Sequence, residues 1–221
     1  MPQFKAVLFD LDGTLINSEY FHFSCWNDLL RQYNVQLTFT DWQSTYAGNV
    51  IQVNAKRIKE QYQLPLPLDE LVRCRMELSL QSLRTHNIEL MPYAGEMLEW
   101  LQQRGIILAL VTSSQRDEVE AIFGRNGLAH YFKVMVTRDD VHIPKPDPEG
   151  YTQACERLGL QKHECLVFED SRTGLQAAKD AGLTCYGIQQ NATEHEHLRA
   201  ADQLFLTLED ARNYLLAQRL I

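Results

Sequence analysis

The chain has 221 residues, of which 45% are hydrophobic and 23% charged, and its formal net charge is −8. It is long enough for one sizeable core and a smaller second domain, and its acidic balance gives no basic surface for nucleic acid. The longest strongly apolar run, residues 106–111, is far too short to span a bilayer. We therefore expect no nucleic-acid partner and no membrane partner.

Five cysteines stand singly, and no two of them form a C-x-x-C pair. An odd number of cysteines without a pairing pattern, in a chain of this length, is typical of a cytoplasmic protein with reduced thiols. The first residues do not show the basic, apolar and small-residue succession of a secretory leader. We expect a cytoplasmic protein that is a monomer or a weak homo-oligomer.

A first strand is predicted at residues 6–9, a short apolar run that ends at Asp10. The following stretch has helical periodicity and is interrupted by a proline-containing connector at residues 64–68. The predicted helices are residues 18–33, residues 40–48 with Thr40 or Asp41 as N-cap, residues 49–62 and residues 68–86. We interpret residues 17–87 as a small, all-helical domain inserted after the first strand.

From Tyr93 onward, apolar runs that resemble strands alternate with helical segments. The predicted strands are residues 106–112, 133–137, 165–170, 184–188 and 202–207, and the predicted helices are residues 94–105, 115–127, 147–159, 172–182 and 208–220. This alternation predicts an α/β core with a doubly wound parallel sheet, formed by residues 1–16 and 88–221.

Polar residues follow four of the predicted strands at the point where each strand ends. They are Asp10 and Asp12 after the first strand, Thr112 after the second, Lys145 in the loop after the third, and Glu169 with Asp170 after the fourth. In open α/β sheets, ligands bind in the crevice outside the carboxyl ends of the strands. We therefore expect these four segments to contribute to one site.

The chemistry that these residue types can perform together is narrow. Several carboxylates in one place need a divalent cation, and oxygen ligands suit Mg²⁺. Asp10 can then attack phosphorus and form an aspartyl phosphate, while Asp12 protonates the leaving oxygen and later deprotonates water. Lys145 supplies positive charge for Asp10 and the phosphoryl group, and Thr112 offers a hydroxyl to the same oxygens.

Four segments resemble, in order and spacing, the motifs of the haloacid dehalogenase superfamily of phosphohydrolases: "DLDGTL", "VTSS", "KPDP" and "FEDSRTGLQAAKDAG". The insert is similar to the helical cap of one subgroup, and "SEYFHFSCW" is similar to the first cap helix of β-phosphoglucomutase-like members. The resemblance covers the whole chain. It implies a Rossmann-like core with a mobile helical cap domain.

The resemblance also implies roles for individual residues. Asp10 would be the nucleophile and Asp12 the acid/base, and Mg²⁺ would be held by Asp10, the backbone carbonyl of Asp12 and Asp170, with Glu169 as a further ligand or beside the ligands. Thr112 and Lys145 match the second and third motifs. The candidate substrate-binding residues are Ser113 and Arg116, which follow the second motif, and His22, Tyr46 and Asn49 in the insert.

The leading interpretation is a Mg²⁺-dependent phosphatase that acts on a small phosphorylated metabolite. The alternative within the superfamily is a sugar phosphomutase, which needs basic residues for a second phosphate. Ala47 and Ile51 stand where those basic residues are expected, and the next one is Lys56. An alternative of another class is a non-enzymatic phosphoacceptor that uses Asp10 as a receiver carboxylate. Such a receiver has no use for Asp12 as an acid or for a lid.

Overall fold

The computed structural model describes residues 3–83, 85, 87–190 and 192–221. The chain divides into two compact units. The first consists of Met1–Asn17 together with Glu89–Ile221, and the second of Ser18–Ile88.

The first unit contains a six-stranded sheet in which every neighbouring pair of strands is parallel. The strands are β1 (Ala6–Phe9), β2 (Ile107–Val111), β3 (Phe132–Val136), β4 (Cys165–Glu169), β5 (Thr184–Ile188) and β6 (Gln203–Phe205). Their order across the sheet is β3-β2-β1-β4-β5-β6. This is the strand order of the doubly wound, Rossmann-like fold, so the predicted fold class is confirmed.

Helices cover both faces of this sheet, because its strands are apolar on both sides. The helices of the first unit are α5 (Ala94–Gln103), α6 (Arg116–Asn126), α7 (Glu149–Leu158), α8 (Arg172–Asp180) and α9 (Leu208–Ala217). On one face, buried residues of α7 and α8 pack with Leu8 and Val167. On the other face, Phe168 stacks on Phe9 and meets Tyr186 edge-on, and Tyr214 of α9 packs against Tyr186.

The central pair of strands determines where the site forms. Strands β1 and β4 are adjacent, with Phe9 opposite Phe168, so the residues that follow them leave the sheet side by side. The chain places β2 and β3 on one side of β1, and then β4, β5 and β6 on the other side. This point of reversal is where ligands bind in doubly wound folds.

The second unit is helical in its described residues. Its helices are α1 (Glu19–Leu30), α2 (Phe39–Thr45), α3 (Ile51–Tyr62) and α4 (Leu68–Leu83), and a 3₁₀ turn, Arg31–Tyr33, follows α1. Trp26, Leu30, Trp42 and Ile58 are among the residues that form its core. The predicted continuation of the fourth insert helix through residues 84 and 86 lies outside the described residues.

The N-cap of α2 is Thr38, not Thr40 or Asp41 as predicted. The Thr38 side chain accepts a hydrogen bond from the backbone N–H of Asp41 and donates one to the Asp41 carboxylate. Asp41 therefore lies inside the first turn and supports the cap. The prediction was wrong because several neighbouring polar residues can fill one capping position. In the part of the chain that is described, we find no helix with the length and apolar character that a membrane span requires.

The last helix, α9, depends on a reciprocal cap. Thr207 accepts a hydrogen bond from the backbone N–H of Asp210, and the Asp210 carboxylate accepts one from the backbone N–H of Thr207. Thr207→Ala should lower the free energy of unfolding by about 1 kcal/mol, because it leaves the Asp210 N–H without its acceptor. Chemical denaturation measures this change. Thr207→Ser keeps the oxygen and should behave like the wild type, whereas equal losses in both variants would contradict the cap.

Candidate active site

Asp10 continues β1 and is held by the sheet itself. Its backbone N–H donates to the carbonyl of Phe168 at 3.0 Å, and the residue is only 6% exposed. The chain then turns through Gly13, whose φ is +77° and whose N–H donates to the carbonyl of Ile16 at 2.9 Å. A side chain at Gly13 would overlap the Asp170 carboxylate. Glycine therefore permits both the turn and the close approach of Asp170.

Lys145 reaches the same point from the loop after β3. Its ammonium lies 2.6 Å from Asp10 Oδ1, 2.6 Å from Glu169 Oε1 and 2.9 Å from the carbonyl oxygen of Val111. All three partners are oxygens, so each ammonium hydrogen can be donated to one of them. The Lys145 and Asp10 side chains are almost wholly buried, and that of Glu169 is fully buried. Removal of one of these charges would therefore leave a buried charge without compensation.

Glu169, at the end of β4, receives hydrogen bonds on both oxygens. Besides Lys145, Oε1 accepts from the Tyr151 hydroxyl at 2.7 Å, while Oε2 accepts from the Ser171 hydroxyl at 3.1 Å and from the Ser171 N–H. A side chain at Gly174, in the first turn of α8, would collide with this carboxylate. The start of α8 is therefore built around Glu169, and this fixes the orientation of its side chain.

The pKa values of the site reflect the repulsion between carboxylates that are buried close together. Burial, and then the charge of Glu169, raise the pKa of Asp10 to about 8. Burial and the charge of Asp10 raise the pKa of Asp170 well above its ordinary value. Burial by itself would lower the pKa of Lys145, but the charges of Asp10 and Glu169 outweigh it and raise that pKa. Lys145 therefore stays protonated, and its single positive charge does not neutralise all the carboxylates of the site.

The acidic residues fit a hard divalent cation. One oxygen each from Asp10, Glu169 and Asp170 lies within 4.8 Å of the other two, which brings these predicted metal-binding residues together. Carboxylate oxygens are the donors that Mg²⁺ prefers, and a cation would favour the ionised state of Asp10 and Asp170. The chemistry of the donor set therefore supports the implied metal.

Asp12 and Thr112 join the site through the loop after β2. The Ser114 hydroxyl donates to Asp12 Oδ2 at 2.7 Å. The backbone N–H of Ser114 donates to the Thr112 hydroxyl at 3.0 Å, and Thr112 is buried. The structure thus brings together the residues predicted from the four strand ends: Asp10, Asp12, Thr112, Lys145, Glu169 and Asp170.

The two predicted substrate-binding residues after the second motif differ in their surroundings. Ser113 is exposed beside Thr112. Arg116, in contrast, is paired with Asp140, with 2.5 Å between Nη2 and Oδ2. The same Asp140 carboxylate also pairs with Arg157, so two guanidinium groups share one acid, and a role of Arg116 toward an anionic substrate stays a prediction.

The three candidates in the second unit have different environments. Tyr46 is 1% exposed, lies in the core of that unit and donates its hydroxyl to Gln61, so its burial corrects the prediction of a substrate contact. The His22 ring lies 3.3 Å from the buried guanidinium of Arg75. Asn49 is exposed, and its amide donates to the backbone carbonyls of Thr45 and Tyr46.

Sequence reasoning missed three residues of the site. Tyr151 and Ser171 hold Glu169, and Ser114 holds Asp12. Ser171 lies within the fourth motif and Ser114 within the second, so membership of a motif was an available signal for both. Tyr151 lies on a helix whose apolar face packs on the sheet, and no local pattern distinguishes it from a core aromatic residue.

Comparison with known proteins gives a consistent result. The haloacid dehalogenase-like hydrolase family matches residues 7–188. Validoxylamine A 7′-phosphate phosphatase from Streptomyces hygroscopicus subsp. limoneus is 34% identical, over 95% of this chain and 96% of that protein. The fructose-1-phosphate phosphatase YqaB from Escherichia coli is 31% identical, over 85% and 97%.

A solved structure agrees with these sequence matches. CbbY from Rhodobacter sphaeroides, in complex with xylulose-(1,5)bisphosphate, superimposes with a TM-score of 0.77 at 27% identity, over 91% of this chain and 93% of that one. The family match spans most of the chain, and the two curated relatives named above are phosphatases. The chain therefore belongs to the haloacid dehalogenase-like hydrolase family, as an enzyme of its phosphoric monoester hydrolase branch.

Proposed function

We propose that the protein is a Mg²⁺-dependent phosphatase that hydrolyses a small sugar phosphate through an aspartyl-phosphate intermediate. The observation that carries this proposal is the position of Asp10. It is a buried carboxylate at the end of the central strand, in contact with Lys145 and beside Asp170. A nucleophile for phosphorus needs such a site, in which positive charge is close and water is largely excluded.

In the first half-reaction, a carboxylate oxygen of Asp10 bonds to phosphorus as the ester P–O bond breaks. Asp12 gives its proton to the departing alkoxide oxygen, and an acyl phosphate on Asp10 results. In the second, Asp12 takes a proton from water as the water oxygen bonds to phosphorus. The bond between phosphorus and Asp10 then breaks, which releases phosphate and restores both carboxyl groups.

The remaining residues hold the reacting groups in position and compensate their charge. Lys145 holds Asp10 Oδ1 and stays cationic throughout. Asp10, Asp170 and the backbone carbonyl of Asp12 are assigned as the residues that would hold Mg²⁺, with Glu169 as a further ligand or beside them. When bound, Mg²⁺ offsets the repulsion between the carboxylates and an incoming phosphate. The Thr112 hydroxyl is assigned to the phosphoryl oxygens.

Three relatives support sugar phosphates as the substrate class, since their names specify validoxylamine A 7′-phosphate, fructose 1-phosphate and phosphorylated carbohydrates. The phosphomutase alternative has less support. Ala47 and Ile51 occupy the positions where basic residues were expected, and both pack against the core of the second unit. A phosphoacceptor without turnover has the least support, because phosphatase names recur among the relatives.

Asp10→Asn should lower kcat by about 10⁴-fold or more, since an amide cannot form the acyl phosphate. Phosphate release from a panel of sugar phosphates measures the change, and acid quenching of the wild type should trap phosphate on Asp10. Asp180→Asn is the matched control, because it neutralises an exposed carboxylate of the same unit. Turnover by Asp10→Asn at the wild-type rate would contradict the mechanism, and labelling of the wild type without turnover would favour the phosphoacceptor.

Removal of divalent cations with EDTA should abolish turnover, and Mg²⁺ should restore it, because the carboxylates cannot otherwise accommodate a phosphate. Asp170→Asn should weaken Mg²⁺ binding about tenfold or more. Calorimetric titration with Mg²⁺ measures this without reference to activity. Full activity of the metal-free wild type would contradict the metal requirement.

The second unit is proposed to act as a lid that carries substrate selectivity, as the resemblance implies. Of its three candidates, Asn49 is the exposed one. Asn49→Ala should change the ratio of kcat/KM values between two sugar phosphates by about threefold or more, while Mg²⁺ binding stays unchanged. The matched control is Asn213→Ala, an exposed position on α9. An identical loss for every substrate would count against a selectivity role.

A further inference from the structure

Ser114 is fixed in the loop after β2 by its backbone as well as by its side chain. Its N–H donates to the Thr112 hydroxyl at 3.0 Å, and its carbonyl accepts from the N–H of Arg138 at 3.0 Å. Thr112 is itself tied to β3, because its N–H donates to the carbonyl of Val136. The backbone of Ser114 is therefore tied to Thr112 and Arg138, which fixes the point from which its side chain extends.

That hydroxyl is directed at the residue assigned as the acid/base. Ser114 Oγ donates to Asp12 Oδ2 at 2.7 Å, across 102 residues of sequence. A hydrogen bond from a hydroxyl to a carboxylate of this length is strong for a neutral donor. Asp12 is half-buried, so fewer water molecules compete for the same oxygen. Ser114 thus holds Oδ2 of Asp12, which restricts rotation of the carboxyl group.

We propose that Ser114 is a positioning residue that orients the Asp12 carboxyl for proton transfer to the leaving group. This inference rests on the proposed function. General acid catalysis is effective only when the acid lies within hydrogen-bond reach of the leaving oxygen, and a rotated carboxyl group loses that reach. Ser114 supplies the constraint from outside the Asp12 turn, without contact with the reacting atoms.

This role predicts a dependence on the leaving group. A sugar alkoxide is a strong base and needs a proton as it departs, whereas p-nitrophenolate is a weak base and leaves without one. A residue that bound the phosphoryl group would affect both substrates alike, since both carry the same phosphate. A residue that orients the acid affects the sugar phosphate far more.

The experiment compares kcat/KM for the preferred sugar phosphate and for p-nitrophenyl phosphate, with Mg²⁺ present. Ser114→Ala should lower kcat/KM for the sugar phosphate about tenfold or more, and for p-nitrophenyl phosphate by less than about threefold. Ser114→Thr keeps the hydroxyl and should restore most of the loss. The matched control, Ser44→Ala, removes an exposed hydroxyl of the second unit and should leave both values unchanged.

The outcomes separate the two proposals. Equal losses for both substrates, an unchanged value for the sugar phosphate, or failure of Ser114→Thr to restore activity would each overturn the role of Ser114. If Ser114→Ala lowers the melting temperature and also lowers kcat/KM by the same factor for both substrates, Ser114 is structural. A wild type that hydrolyses neither ester would instead overturn the proposed function, and the role of Ser114 with it.

Discussion

The rest of the site depends on the contact of one ammonium group with three oxygens. Lys145 donates to Asp10, Glu169 and the carbonyl of Val111, so it joins the ends of β1, β2 and β4. The parallel register forces Asp10 and Glu169 to emerge as neighbours, and without a cation they would be two buried, mutually repelling anions. One positive charge does not neutralise the site, since Asp170 adds a third carboxylate. The remaining negative charge suits a divalent cation.

The positions of the main polar residues could be predicted because they follow from one geometric rule. Parallel strands end at the same edge of a sheet, so residues at strand ends converge whatever their separation in sequence. Asp10, Lys145 and Glu169 were identified in this way, and the resemblance added their chemical roles. The doubly wound sheet was also predictable, since strand-like and helical segments alternate along the chain. Local details such as the N-cap at Thr38 were less predictable, because several adjacent polar residues can fill one capping position.

The residues that sequence reasoning missed or misjudged depend on partners that are distant along the chain. Tyr151 looks like a core aromatic residue until its hydroxyl is seen on Glu169. The Asp140 carboxylate beside Arg116 lies 24 residues further along the chain. Tyr46 suggests a polar contact, yet its ring lies in the core and its hydroxyl is bound to Gln61. In each case the decisive fact is a pairing between elements, which periodicity and motif spacing do not encode.

The central place of β1 in the sheet has a consequence for how the chain acquires activity. Strand β1 is synthesised first, yet both of its neighbours in the sheet, β2 and β4, come much later, and Asp10 is separated from Lys145 by 135 residues. Contacts of such long range close large loops and are slow to form. A growing or partly folded chain therefore carries Asp10 long before it carries Lys145, the cation that completes the site. Phosphatase activity becomes a direct measure of whether the middle of the sheet has closed.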